Sequence, residues 1–196
     1  MSPGAVDSKA LREWAFETGD RRSSLVVYRI VRGAIRQVLF RWLRVDGTNT
    51  EVLDLPGATV LAPVHRSHLD SVLFASLCDR RIRALGKEPL FTVPGVKYFC
   101  AALGENPVRR VEADRDALAA AKTLLDRDES MIVFPEGSRQ RGDEIGPLFG
   151  GAAWLAARTG ARVVPIGIVG TEEALPSGTR YLHRSTVRVV VGDPLD

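Results

Sequence analysis

The chain has 196 residues, 45% of them apolar and 26% charged, with a formal net charge of +3. That balance fits one globular domain with a sizeable core and excludes a disordered chain, and the charge excess is too small to argue for a nucleic-acid partner. No apolar run reaches the ~18 residues that a membrane-spanning helix needs, and the first twenty residues carry no secretory apolar stretch.

Residues 1–20 are mixed in composition and read as partly disordered. Over 24–43 the pattern changes. Val27, Ile30, Val31, Ala34, Val38 and Leu39 recur at helical spacing, and Arg29, Arg32 and Arg36 keep a three-and-four spacing of their own. This predicts an amphipathic helix of about five turns, ended by Asp46-Gly47, with seven arginines and no acidic residue between Asp20 and Asp46. Residues 1–44 therefore separate as a tail and helix from a main domain over 45–196.

From there on, short apolar runs alternate with helical patterns. Predicted strands cover 59–62, 82–85, 131–134, 163–168 and 187–191, and predicted helices cover 67–78, 94–103, 113–127 and 151–159. Pro94 suits a first helical position, where its missing N–H costs nothing. The alternation predicts an α/β fold, a central mostly parallel sheet flanked by helices and preceded by the N-terminal amphipathic helix. Ligands of such sheets gather beyond the carboxyl ends of the strands. Cys78 and Cys100 fall in apolar helical segments and read as buried free thiols. The sequence stops directly after the last predicted strand, which leaves further C-terminal sequence as an expectation.

Two strand-to-helix junctions carry polar residues. The first is His65-Arg66-Ser67-His68-Leu69-Asp70. With Ser67 as N-cap, Asp70 falls at the third helical position and His65 in the loop before it, where the carboxylate can hold one ring nitrogen and leave the other as a base. Ser67-x-x-Asp70 is equally a capping-box pattern in which the carboxylate only favours the helix start. A metal site from His65, His68 and Asp70 is a third reading, but His183 is the only other histidine and the spacing matches no common zinc signature. No Gly-x-Ser-x-Gly elbow is present, which argues against a serine hydrolase.

The second junction is Phe134-Pro135-Glu136-Gly137-Ser138-Arg139. Gly137 permits a tight turn, and the planar guanidinium of Arg139 suits paired hydrogen bonds to a phosphate. Arg109 and Arg110, after Gly104-Glu105-Asn106-Pro107-Val108, form another basic loop. The plain alternative leaves these arginines solvated and Glu136 paired to one of them.

Together these pieces resemble the glycerolipid acyltransferases of the lysophosphatidate acyltransferase type. Four blocks occur in order: His65-x-x-x-x-Asp70, Gly104 through Arg110, the hexapeptide from Phe134 to Arg139, and Val164-Pro165-Ile166. Phe149, Gly151 and Gly170 also match the family pattern, while Val64, Arg109 and Gly150 depart from it.

The resemblance implies transfer of a fatty acyl group from acyl-CoA or acyl-ACP to a hydroxyl of lysophosphatidate or a related glycerophosphate; the alternatives are transfer to a different lipid or glycolipid hydroxyl, or a non-catalytic lipid- or acyl-carrier-binding module. His65 would be the base and Asp70 its orienting partner. Arg110, Glu136, Gly137, Ser138 and Arg139 would form the acceptor-phosphate site, and Pro165 would shape the acyl or substrate pocket. No metal and no cofactor beyond the thioester co-substrate is implied. The implied acceptor is a membrane lipid, so the 24–43 helix, with Phe40 and Trp42 beside its arginines, suits peripheral binding at the cytoplasmic face of an anionic membrane. In the bland alternative its apolar face packs on the domain. Nucleic-acid binding lacks an interleaved aromatic platform.

Overall fold

The computed structural model of the chain describes residues 8–108, 113–142, 144–176, 178–179 and 181–195. Seven strands form one sheet: β1 Asp46–Thr48, β2 Thr59–Pro63, β3 Ile82–Lys87, β4 Glu105–Val108, β5 Ser130–Ile132, β6 Arg162–Val169 and β7 Arg188–Val191. Their order is β1-β7-β6-β2-β5-β3-β4, and every pair is parallel except β6 with β7. The helices are α1 Ser8–Asp20, α2 Arg22–Trp42, α3 Leu69–Leu77, α4 Val96–Ala102, α5 Ala113–Leu125, α6 Gly151–Thr159 and α7 Thr171–Ala174. This is the expected α/β architecture.

Strand β2 sits mid-sheet and is apolar on both sides, as a strand buried between two helical layers must be. Leu61 packs with Phe74, Leu73 and Leu43 on the α2–α3 side, whereas Val60 packs with Leu125 and Leu155 on the α5–α6 side. The chain leaves β2 through α3 for β3, and leaves β5 through α6 for β6 in the opposite direction. Neighbouring strands whose connections diverge open a crevice between their carboxyl ends, the usual ligand site in such sheets. Both polar junctions emerge from these two strands.

Four elements differ from the sequence expectation. Residues expected to be partly disordered form α1, which packs against α4 and β4. It is held by Asp20, which pairs with Arg81 and, at 2.8 Å, with Arg83. Arg83 is fully buried; it also bonds Glu129 at 2.7 Å and lies under the Phe16 ring. Asp20, the Arg81 and Arg83 pair, and Glu129 come from three segments at least 46 residues apart, so no local pattern announces the cluster. The expected break at Asp46-Gly47 is instead β1, which exists by pairing with β7. The basic loop before Arg109 begins as β4, an edge strand whose Pro107 is tolerated there. Helix α4 starts at Val96, after Gly95 with φ +82°, because Pro94 lies in the preceding turn.

Helix α2 faces two ways. Phe40 and Leu39 pack on the core, and Leu43 just beyond the helix is fully buried. Val26, Ile30, Val38 and Trp42 form an exposed row at a spacing of four, or a multiple of it, beside exposed Arg29 and Arg41. Arg32 and Arg36 do not join that row; they turn toward α3. Among the described residues no helix is long and apolar enough to cross a membrane.

Candidate active site

After β2, residues 64–68 form neither strand nor helix before α3 begins, and the Val64 N–H donates to the Ile166 carbonyl at 3.0 Å. Asp70, in the first turn of α3, is fully buried. Its Oδ2 accepts three hydrogen bonds: from His65 Nδ1 at 2.9 Å, the Arg66 N–H at 2.7 Å and the Ser67 N–H at 2.8 Å. A carboxylate oxygen there can only accept, so the proton sits on Nδ1 and Nε2 is left with its lone pair. The ring stacks on Phe134 at a centroid distance of 3.8 Å and is 18% exposed, which leaves an edge open to the crevice.

The two readings of Asp70 are therefore one arrangement. Helix α3 starts at Leu69, two residues later than expected, and the carboxylate caps the two backbone N–H groups just before it while orienting His65. Ser67 is buried, and its hydroxyl donates to the Leu175 carbonyl at 3.2 Å, so it does not face the crevice as a nucleophile. Among the described residues, no three histidine, cysteine or acidic side chains converge as metal ligands.

Glu136 departs from its expected place in a phosphate site. It is 2% exposed and its oxygens are already occupied. Oε2 accepts from the His65 N–H at 2.6 Å, and Oε1 accepts from the Gly146 N–H at 2.9 Å and from Arg66 Nη1 at 3.0 Å. Burial pushes this carboxyl up, but the His65 and Gly146 N–H groups and the Arg66 guanidinium outweigh it and hold it below its ordinary value. A buried anion spent in this way repels a phosphate and instead fixes the loop under His65. The Gln140 N–H closes the clamp by donating to the His65 carbonyl at 2.9 Å. Both backbone groups of His65 are thus held from the neighbouring β5 junction.

Gly137 turns this loop at φ +65°, where a Cβ would lie 3.2 Å from the Phe149 ring. Ser138 and Arg139 beyond it are exposed. His68, also exposed, has its pKa lowered first by partial desolvation and then by the charges of Arg139, His65 and Lys87. Arg139 and Lys87 are thus exposed cations whose charges are felt at His68, three residues beyond the base. Arg110 lies outside the described residues. Pro165 is an exposed residue of β6, opposite Ala62 of β2, and its carbonyl accepts from the Gly192 N–H at 2.8 Å. Gly167 and Val169 follow on the same face and line a cavity of about 400 Å³ with Val64, Ile145 and Val190, whereas Pro165 does not line it.

Two site residues escaped the sequence reading. Arg66 is nearly buried, bridging Glu136 and the Glu144 carbonyl; a basic residue inside a polar hexapeptide gives no local sign of that. Lys87 ends β3, and its signal would have been a cation at the carboxyl end of a predicted strand.

The acyltransferase family model matches residues 44–169 and spans both junctions. The chain belongs to that family. Among curated relatives, it is 31% identical over 134 residues to a chloroplastic 1-acyl-sn-glycerol-3-phosphate acyltransferase of Brassica napus, covering 67% of this chain and 39% of the relative. It is also 31% identical to a chloroplastic protein of the same description in Arabidopsis thaliana, covering 67% and 37%. The chain thus spans about two fifths of the length of these relatives. The crystal structure of the 1-acyl-sn-glycerophosphate (LPA) acyltransferase PlsC from Thermotoga maritima superposes with a TM-score of 0.75 at 23% identity, over 94% of this chain and 77% of that one, a likeness of fold.

Proposed function

We propose that the protein transfers a fatty acyl group from acyl-CoA or acyl-ACP to the free hydroxyl of 1-acylglycerol-3-phosphate or a related glycerophosphate. The observation that carries this reading is the His65–Asp70 pair, with Nδ1 tied to a buried carboxylate and Nε2 left with its lone pair. Nε2 takes the proton of the acceptor hydroxyl as its oxygen attacks the thioester carbonyl. The tetrahedral intermediate collapses, the C–S bond breaks, and the departing sulfur takes the proton back from the imidazolium. Asp70 stabilises that imidazolium and holds the ring's tautomer. The substrate hydroxyl is the nucleophile, so no acyl-enzyme forms.

Arg139 and Lys87 take the acceptor phosphate, and Arg110 follows the family pattern as a further cation. The cavity that begins at Val64, walled by Ile145, Ile168, Val169 and Val190 but also by Arg66, Glu172, Glu173 and Arg188, receives the acyl chain along its apolar side. No metal or resident cofactor is required. The exposed row of α2, apolar with arginines beside it, meets the cytoplasmic face of an anionic membrane, where a lysophospholipid acceptor resides.

Acyl transfer from long-chain acyl-CoA to lysophosphatidate, compared with a phosphate-capped lysophospholipid, tests the assignment. His65→Ala should lower turnover by about 10²–10⁴-fold while leaving the circular-dichroism spectrum unchanged. Arg139→Gln should raise the acceptor KM more than the donor KM. Equal turnover by His65→Ala and wild type would end the base assignment.

A further inference from the structure

Helix α3 is nine residues long and has Asp70 in its first turn. A helix this short is marginal without tertiary support, and its last carbonyls have no partners within it. The chain supplies those partners from one stripe of α2. Tyr28 Oη donates to the Ala75 carbonyl at 2.9 Å. Arg36 donates from Nε to the Ser76 carbonyl at 2.5 Å, and from Nη2 to the Leu77 carbonyl at 2.8 Å and the Cys78 carbonyl at 3.3 Å. Arg32 Nη1 donates to the Cys78 carbonyl at 3.0 Å and also bonds the Asp79 carbonyl. The second Arg36 amine pairs with the Asp79 carboxylate at 2.9 Å. Five successive carbonyls are thus taken by three side chains at positions i, i+4 and i+8, and two cations sit at the negative end of the helix dipole.

We propose that Arg32 and Arg36, with Tyr28, are positioning residues for the His65–Asp70 pair. The apolar contacts of Leu73 and Phe74 hold α3 against the sheet, but they are non-directional and resist sliding along the helix axis weakly. The bonds to its carboxyl end are directional. A slip of one residue moves Asp70 by about 1.5 Å, more than the three hydrogen bonds to its Oδ2 tolerate. The far end of the helix therefore sets where the carboxylate sits, and through it which His65 nitrogen carries the proton. This role rests on the reaction proposed above, since only there does the tautomer govern turnover.

The test uses the full chain with ¹⁵N-labelled histidine. The protein has three histidines, and His65→Gln assigns the His65 signals. Wild type should show the Nδ1–H tautomer with a strongly deshielded, exchange-protected proton. Arg32→Gln/Arg36→Gln should lose that proton, lower kcat by about 10–100-fold with both KM values changed less than about two-fold, and move the acid limb of kcat/KM to lower pH because the imidazolium loses its anion. Arg36→Lys, which can reach one carbonyl in place of three, should fall between them and guards against an unfolded double variant. Leu39→Ala, a core change on the same helix, should lower the melting temperature yet leave tautomer and acid limb at wild-type values when assayed well below it. An unchanged Nδ1 proton in the arginine variants, or an equal loss in Leu39→Ala, overturns the proposal. If the arginine variants lose the proton while wild type transfers no acyl group, the positioning stands and the assigned reaction fails.

Discussion

Replacing Glu136 with glutamine separates a loop anchor from a phosphate ligand. The wild-type carboxylate is 2% exposed and accepts from two backbone N–H groups and the Arg66 guanidinium. Glutamine keeps the shape but offers one accepting oxygen and one NH₂. Turned either way, the NH₂ confronts the His65 or the Gly146 N–H, and Arg66 loses its counter-charge. An orphaned buried donor costs about 1–3 kcal/mol, and opening a buried pair costs about 3–5 kcal/mol. Because Arg66 keeps its bond to the Glu144 carbonyl at 2.9 Å, the sum should fall near the lower bounds, at about 4 kcal/mol. For a chain of this length that lowers Tm by roughly 8–16 °C. The loss of the 2.6 Å bond to the His65 N–H should also reduce kcat at a temperature where both proteins are folded. The acceptor KM should stay within about two-fold of wild type, since removing an anion takes nothing from a phosphate. Thermal melting and steady-state acyl transfer provide the assays. An unchanged Tm, or a rise confined to the acceptor KM, refutes the reasoning.

The same carboxylate sets a pH dependence. Its folded-state pKa lies below the ordinary 4.5, so its stabilisation is fully present above that value and is lost as pH falls through the lower folded value. The Tm difference between wild type and Glu136→Gln should therefore be full near neutrality and shrink at pH values below the usual carboxylate range; a constant gap down to acid unfolding contradicts the assignment. Cys78 and Cys100 have their thiols pushed up to about 12, mainly by burial. Iodoacetamide at pH 8 should label both slowly in the native protein and fully in denaturant, because the thiolate fraction is about 10⁻⁴; rapid native labelling would contradict this. Gly137→Ala places a Cβ at φ +65° against Phe149 and should cost about 1–2 kcal/mol, read as a shift in the denaturant midpoint. Val38→Ser/Trp42→Ser should weaken flotation with anionic vesicles while leaving Tm nearly unchanged, as both residues are about half or more exposed; undiminished flotation removes α2 from the membrane contact. Deleting residues 1–44 would not test this cleanly, because Leu39, Phe40 and Leu43 belong to the core.

Where chain-local order carries the information, sequence and structure agree. The apolar runs of β2, β5, β6 and β7 are legible because a strand buried between layers must be apolar whatever its partners. Helix α6 starts and stops where Gly151 and Gly160 place it, and α5 ends two residues early. Strands β1 and β4 are invisible for the converse reason: Asp46-Gly47-Thr48 and Glu105-Asn106-Pro107-Val108 have no strand pattern, and each becomes a strand by pairing with a neighbour distant in sequence.

The site divides along the same line. The two polar junctions can be singled out directly, but their roles come from four blocks in family order, since each junction alone also reads as a helix cap or a solvated turn. Which charges remain free cannot be read this way. Glu136 and Arg66 look available in sequence and are spent on each other; Arg32 and Arg36 look like a membrane face and are spent on α3. Lys87 looks ordinary, and its charge at the end of β3 is felt at His68. These outcomes depend on which side chains strand order brings within about 3 Å, the reach of a hydrogen bond. That reach is set by β2 lying next to β5 and by α2 lying across α3, contacts between segments tens of residues apart that no local pattern encodes.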